Sequence, residues 1–302
     1  MSVTSASLRQ SRVLARPSTG RRVRNRIATV AVYAAVVVAL APLVAVLFAV
    51  VRKGIARLDR TFLTHSMRNI GATDAGGGAY HAIVGTVEQV VLAGLMAIPL
   101  GVLVAIYLVE YGGSGRLARA VSFVVDVMTG IPSIVAGLFV LAFWVLALGM
   151  GFSGFAGSMA LAILMLPVVV RSAEEMFRLV PDELREGALA LGVPRWRVIL
   201  RVVLPTAAAG LVTGLMLAIA RVTGETAPLL LTVFFTDSIN NDPFHGPQVG
   251  IAQFVFDQAT RPTDAAVTRA WAGALTLVLG VLVLNLAARA LARWKAPKVE
   301  AH

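Results

Sequence analysis

Residues 202–235 read VVLPTAAAGLVTGLMLAIARVTGETAPLLLTVFF, 34 residues whose only charges are Arg221 and Glu225. As one helix this run would be about 51 Å long. A bilayer core is about 30 Å thick. The run therefore reads as a membrane span that extends past the core or breaks, and Gly224 and Pro228 put the break at 224–228. A charge at bilayer depth costs at least ~2.5 kcal/mol on insertion scales. Arg221 and Glu225 thus mark either a structural ion pair or a functional site. On an unbroken helix they share a face and meet. Thr223, Gly224, Thr226 and Pro228 around them loosen the helix and add hydroxyls, which suits a polar pathway. An Arg there supplies a planar, permanently charged fork for an anion in transit.

The rest of the chain fits a membrane setting. Its 302 residues are 58% hydrophobic and 14% charged, whereas soluble domains run near 45–50% and about 25%. There is no cysteine, which excludes a disulfide framework and a Cys-based metal site. The net charge is +11, but the basic residues flank apolar runs, a pattern of membrane orientation and not of nucleic-acid binding.

Six spans are expected: 28–51, 83–109, 120–148, 155–170 ended by Arg171, the run from 202, and 270–291. Six crossings put both termini on one side. Nineteen of the 27 Lys and Arg fall on that side and seven on the other, which predicts cytoplasmic termini. The expected organisation is a basic cytoplasmic tail at 1–27, a first helix at 28–51, an extracytoplasmic linker at 52–82, a core at 83–295 and a short cytoplasmic tail at 296–302. The linker carries five basic residues, which reads as a structured segment translocated despite its charge. The tail, with seven Arg and no acid, also has the composition of a transit peptide. The orientation charge it supplies to the first span favours a retained tail.

Residues 171–201, RSAEEMFRLVPDELREGALALGVPRWRVILR, are too charged to span. Leu184, Ala188 and Leu191 fall on one helical face. Pro181 opens the segment, Gly192 and Pro194 close it, and Asp182, Glu183 and Glu186 lie in its early turns. A helix at about 181–195 is predicted. It either lies on lipid headgroups or docks into a groove on a partner, and its acids disfavour an anionic lipid surface.

Glu186-Gly187-Ala188, three residues, Gly192, nine residues, then Val202-Val203-Leu204-Pro205 resembles the EAA loop of ATP-binding-cassette importer permeases. Gly187 stands where the family pattern has Ala, and Val202 where it has Ile. LVEYGG (108–113), GIPSIVAGLF (130–139), LPVVVRSAEEMFRLVPDELREGALALG (166–192) and ARVTGETAPLL (220–230) are similar to the PstA family of phosphate-importer permeases. The resemblance implies an all-α polytopic fold of six transmembrane helices, the type I importer permease fold, in a bacterial inner membrane. It implies a heterodimer with a PstC-type subunit, two PstB-type ATPase subunits, a PstS-type phosphate-binding protein, and phosphate as the ion. It makes Glu186, Gly187, Ala188 and Gly192 the ATPase-coupling residues. Arg221, Glu225 and Thr226 are then expected along the phosphate pathway, with Arg171 as a second station or a headgroup anchor. A permease for another anion and an ion-coupled secondary transporter are the alternatives.

The chain's three lysines, Lys53, Lys295 and Lys298, are not followed by Ser or Thr, so no phosphate-cradling loop for ATP is present. Any ATP hydrolysis must come from a partner, no cofactor is expected, and the chain is not expected to be an enzyme. The four histidines show no metal-ligand spacing. Glu88 and Asp126 are the remaining candidates for a two-carboxylate site, or make interhelical hydrogen bonds. Gly130 and Pro132 are expected to kink the third span, with Ser133, Ala136 and Gly137 packing closely on a neighbour or lining the pore.

Overall fold

The computed structural model describes residues 19–71 and 73–295, the last five by backbone alone. Arg9, Arg12, Arg16 and the 296–302 tail lie outside them. The described residues fall into two compact units, one ending at Ala49 and the other beginning at Val50.

Helix α1, Thr19–Gly54, extends the expected first span at both ends. It is apolar all round its middle, as a helix surrounded by lipid must be. Its last turn belongs to the second unit, where Lys53 lies over the Trp271 ring at 4.8 Å.

The second unit is helical. After the short α2, Arg60–Thr64, come α3, Tyr80–Ile106, and a π-helical turn Tyr107–Tyr111. Helices α4, Arg116–Thr129, and α5, Ser133–Val140, are followed by a second π-helical stretch, Leu141–Ala147. Helix α6, Gly154–Arg178, precedes two short helices, α7, Asp182–Ala190, and α8, Arg195–Val198. A third π turn leads into α9, Leu204–Thr223; α10, Ala227–Thr232, α11, Ile251–Thr260, and α12, Asp264–Lys295, complete the order.

Helix α6 is the hub. Leu161, Met165 and Val169 on it pack against Ala93 and Ala97 of α3, Ala218 and Val222 of α9, and Leu229 of α10. Lipid offers no hydrophobic drive for this association, so close approach through small residues must supply it. Gly214 and Gly210, four residues apart on α9, meet α6 in this way. A Cβ on Gly214 would stand 2.6 Å from Ser172 Cβ, and one on Gly210 would collide with Met176. On α3, a Cβ on Gly101 would stand 2.6 Å from Val169 Cγ1.

Five described helices are long and apolar enough to cross a membrane, and a bent pair makes up to a sixth. That pair corrects the expected third span. Arg116–Thr129 and Ser133–Ala147 meet at 104°, far beyond a kink. Ile131 precedes a proline and is pushed out of the helical region, while Pro132 caps the next helix at φ −59°. The fourth span is corrected too: the helix does not end at Arg171 but runs on to Arg178.

Between α1 and α3 the chain contributes to a packed cluster. Phe62, Met67 and Ala79 are buried with Val249, Ile251 and Phe254. Asp59 caps α2 through the Phe62 N–H at 2.7 Å, which holds its carboxyl below the usual range.

Candidate functional site: two arginines and an exposed helix

The long run breaks where its length and composition require. Helix α9 stops at Thr223 and α10 starts at Ala227. Pro228 removes the N–H that would have bonded the carbonyl four residues back, at Gly224. The break corrects the expected pairing of Arg221 with Glu225. Among the described residues neither forms an ion pair or a side-chain hydrogen bond.

Arg221 is exposed in the last turn of α9, where a cation complements the helix dipole. Ala209, Thr213, Leu217 and Arg221 recur every four residues and are all exposed, whereas Ala207, Leu211, Ala218 and Val222 are buried. Arg221 thus ends a stripe that the described residues leave uncovered. Glu225 and Thr226 are half-buried in the break beside it. Below the break, a Cβ on Gly137 of α5 would stand 2.7 Å from Pro228 Cα, so GIPSIVAGLF packs directly on the broken segment.

Arg171 lies near the other end of α6, and its guanidinium is committed. It donates to Glu174 and Asp126 at 2.5 Å each, and to the carbonyl and hydroxyl of Ser122 at 2.9 and 2.8 Å. Arg178 shares Glu174 at 2.8 Å. The network fastens α4 to α6 and accounts for Asp126. Glu88 is engaged elsewhere, accepting from Gln248 at 2.5 Å. The two carboxylates therefore do not form a joint site, and no group of residues able to hold a metal occurs among the described residues.

The helix expected at about 181–195 is α7, Asp182–Ala190, and the short α8, Arg195–Val198, follows it. α7 begins after Pro181 and α8 after Pro194. Gly192, at φ +78°, makes the turn between them, a conformation glycine adopts without penalty. α7 buries none of its residues. Of its expected apolar face only Ala188 packs inward, against the cluster around Phe177 and Val198. Leu184 and Leu191 stay exposed, as do Glu186 and Gly187.

Sequence reading missed two long-range polar contacts. Arg185 of α7 bonds the buried Glu110 of the first π turn at 3.0 Å, across 75 positions. Gln248, buried in the segment before α11, bonds Glu88 and also accepts from Gln89 at 3.2 Å. No local periodicity carries such pairs; the charge of Glu110 inside an apolar run was the one available signal.

An apolar groove of about 520 Å³ runs between α3, α9 and α12. Its few polar atoms, on Thr86, Thr223 and Thr276 among them, offer no cation for an anion.

Residues 97–300 match the family described as binding-protein-dependent transport system inner membrane component. The chain is 49% identical over 278 residues to phosphate transport system permease protein PstA 1 of Mycobacterium tuberculosis, covering 91% of each chain. It is 41% identical to the PstA permease of Yersinia pestis over 269 residues, 89% of this chain and 90% of the relative. In fold it is similar to the inward-facing MetNI methionine ABC transporter, with a TM-score of 0.58 at 20% identity over 73% of this chain and 95% of that one. A bacterial ABC transporter that imports alginate gives 0.59 at 15% identity over 90% and 96%. The chain belongs to the inner-membrane components of binding-protein-dependent transport systems, in the PstA family of ABC importer permeases.

Proposed function

We propose that this chain lines part of the phosphate pathway of an ATP-driven importer and that Arg221 is its principal contact with the ion. The observation that carries this reading is the state of Arg221. It is charged, exposed, without an ion-pair or side-chain hydrogen-bond partner among the described residues, and set at a helix break on an uncovered stripe. Phosphate needs positive charge and several donors, and a guanidinium supplies both in one plane. Glu225 and Thr226 flank it without neutralising it. Arg171 has the lesser part, since two carboxylates already offset its charge.

The stripe through Arg221 is then the surface on which a second, PstC-type permease subunit closes the pathway. The α7 end faces the cytoplasm. Arg116, Arg119, Arg178, Arg185, Arg195, Arg197 and Arg201 in and around its segments favour that orientation. There α7 offers Leu184, Leu191 and Glu186 to a cleft on a PstB-type ATPase, two copies serving the heterodimer. A PstS-type protein delivers phosphate to the opposite face. The relatives named for phosphate transport support this substrate.

Reconstitution of the complex in proteoliposomes tests the proposal. Radiolabelled phosphate should enter only with ATP and a loaded binding protein, and excess sulfate should not compete. Uptake driven by an ion gradient without ATP, or equal competition by sulfate, would contradict it.

A further inference from the structure

At nine residues, α7 is too short to persist on helix propensity alone, and it buries no side chain of its own. Arg185 does most to fix it. Its Nε donates to Glu110 at 3.0 Å, and Nη2 donates to the Phe177 carbonyl at 2.6 Å. Nη1 donates to the Val180 carbonyl at 2.6 Å and to Asp182 at 2.8 Å. Phe177 and Val180 stand at the end of α6, where carbonyls lack helical partners and the dipole is negative. Glu110 is 5% exposed, and its bond to Arg185 is the one hydrogen bond its side chain makes among the described residues. One guanidinium therefore ties three elements: α7, the end of α6, and the π turn that closes α3. No other ion pair among the described residues joins α7 to a membrane-spanning helix. α3 and α6 are themselves tightly packed where Gly101 meets Val169, so their ends respond together.

We infer that the Arg185–Glu110 pair is the link through which movement of α7 is transmitted to the transmembrane helices. Both are positioning residues. Arg185 is 13% exposed in its side chain and engaged with Glu110, whereas Leu184, Glu186 and Leu191 are exposed. The inference rests on the proposed docking of α7 to an ATPase. A coupling element must drag its attachments and not peel away from them. Separating this pair would strand a buried carboxylate, a costly state, so a displaced α7 carries the ends of α3 and α6 with it.

The test uses the whole complex in proteoliposomes, with four readouts: retention of the ATPase, basal hydrolysis, stimulation of hydrolysis by phosphate-loaded binding protein, and phosphate uptake. Arg185→Met with Glu110→Gln removes both charges and leaves no buried ion. The ATPase and basal hydrolysis should remain, while stimulation and uptake fall about tenfold, within the usual range of coupling between sites. Because the chain has no cysteine, Glu110→Cys with Arg185→Cys can be joined by a short bis-methanethiosulfonate linker. Stimulation should return on linking and disappear again on reduction. If the charge-free variant does not fold, Arg185→Lys carries the test; it keeps the charge, loses the fork, and should lose part of the stimulation.

Normal stimulation in the charge-free variant, or in Arg185→Lys when that carries the test, overturns the link and leaves docking intact. Loss of the ATPase from the charge-free variant makes the pair a docking requirement and overturns transmission. Failure of the wild-type permease to retain an ATPase overturns the docking reading and this inference with it.

Discussion

The Cβ that Gly137 lacks would stand 2.7 Å from the Cα of Pro228 and 3.0 Å from its carbonyl oxygen. Backbone cannot yield as a flexible side-chain tip can. Helix α5 therefore rests directly on the segment just past the break that follows Arg221. Gly137→Ala should push α5 off α10 and lower stability by about 1–3 kcal/mol, the usual cost of overpacking. Thermal unfolding of the purified protein in detergent measures this, and an unchanged midpoint would show that the contact is not tight.

Arg171 has two carboxylates and a backbone carbonyl to lose. Arg171→Gln should destabilise by about 1.5–3 kcal/mol, the range for hydrogen bonds to charged groups. Asp126→Asn should cost under about 1 kcal/mol, because its side chain is 65% exposed and solvent screens the pair. Equal losses in the two variants would contradict the central place given to Arg171 in fastening α4 to α6.

On α7, Glu186 is exposed and its side chain makes no ion pair or hydrogen bond among the described residues. Glu186→Lys should leave membrane insertion unchanged and weaken co-purification of the ATPase. A mutant complex that assembles and transports normally would remove Glu186 from the docking surface.

Asp237 lies between α10 and α11, with Oδ1 buried and without a hydrogen-bond partner among the described residues. Burial raises its pKa above the ordinary carboxylate value. Arg261 and Arg269 pull it down and Asp257 adds to the rise. Folding thus favours its protonated form relative to the unfolded chain. Its contribution to stability is greatest below the unfolded pKa and falls as pH rises through the folded one. Asp237→Asn should raise the unfolding midpoint at neutral pH and flatten its pH dependence just above the ordinary carboxylate range. Asp59 and Asp242 act in the opposite sense. Hydrogen bonds from the Phe62 and Phe244 N–H groups lower their pKa values, so their contribution is lost on acidification. A mutant with an unchanged profile would dismiss Asp237.

What the sequence disclosed was local. The break after Thr223 followed from run length, Gly224 and Pro228; the start of α7 after Pro181 and its end before Gly192 followed from residue type, while α8 was not anticipated. What it concealed was direction and distance. Hydropathy marks 120–148 as apolar but does not say that Ile131, forced out of the helix by Pro132, turns the chain through 104°. Charge marked Arg171 as a membrane boundary. The helix continues to Arg178, with Glu174 and Asp126 together offsetting Arg171 and Arg178. Arg185–Glu110 and Gln248–Glu88 join residues 75 and 160 positions apart, and only the packing of α3 against α6 and the loop before α11 brings them together.

The ion-contact role of Arg221 is the central claim, and phosphate uptake by the double variant Arg221→Gln with Glu225→Gln tests it most directly. The two residues do not pair with each other or with any other described residue, so neutralising Glu225 has no stranded charge to relieve. The account predicts a variant that inserts, assembles and unfolds like wild type but takes up phosphate no better than Arg221→Gln alone. Uptake near the wild-type rate in the double variant would contradict it, because a positive charge at residue 221 would then be dispensable once Glu225 is neutral.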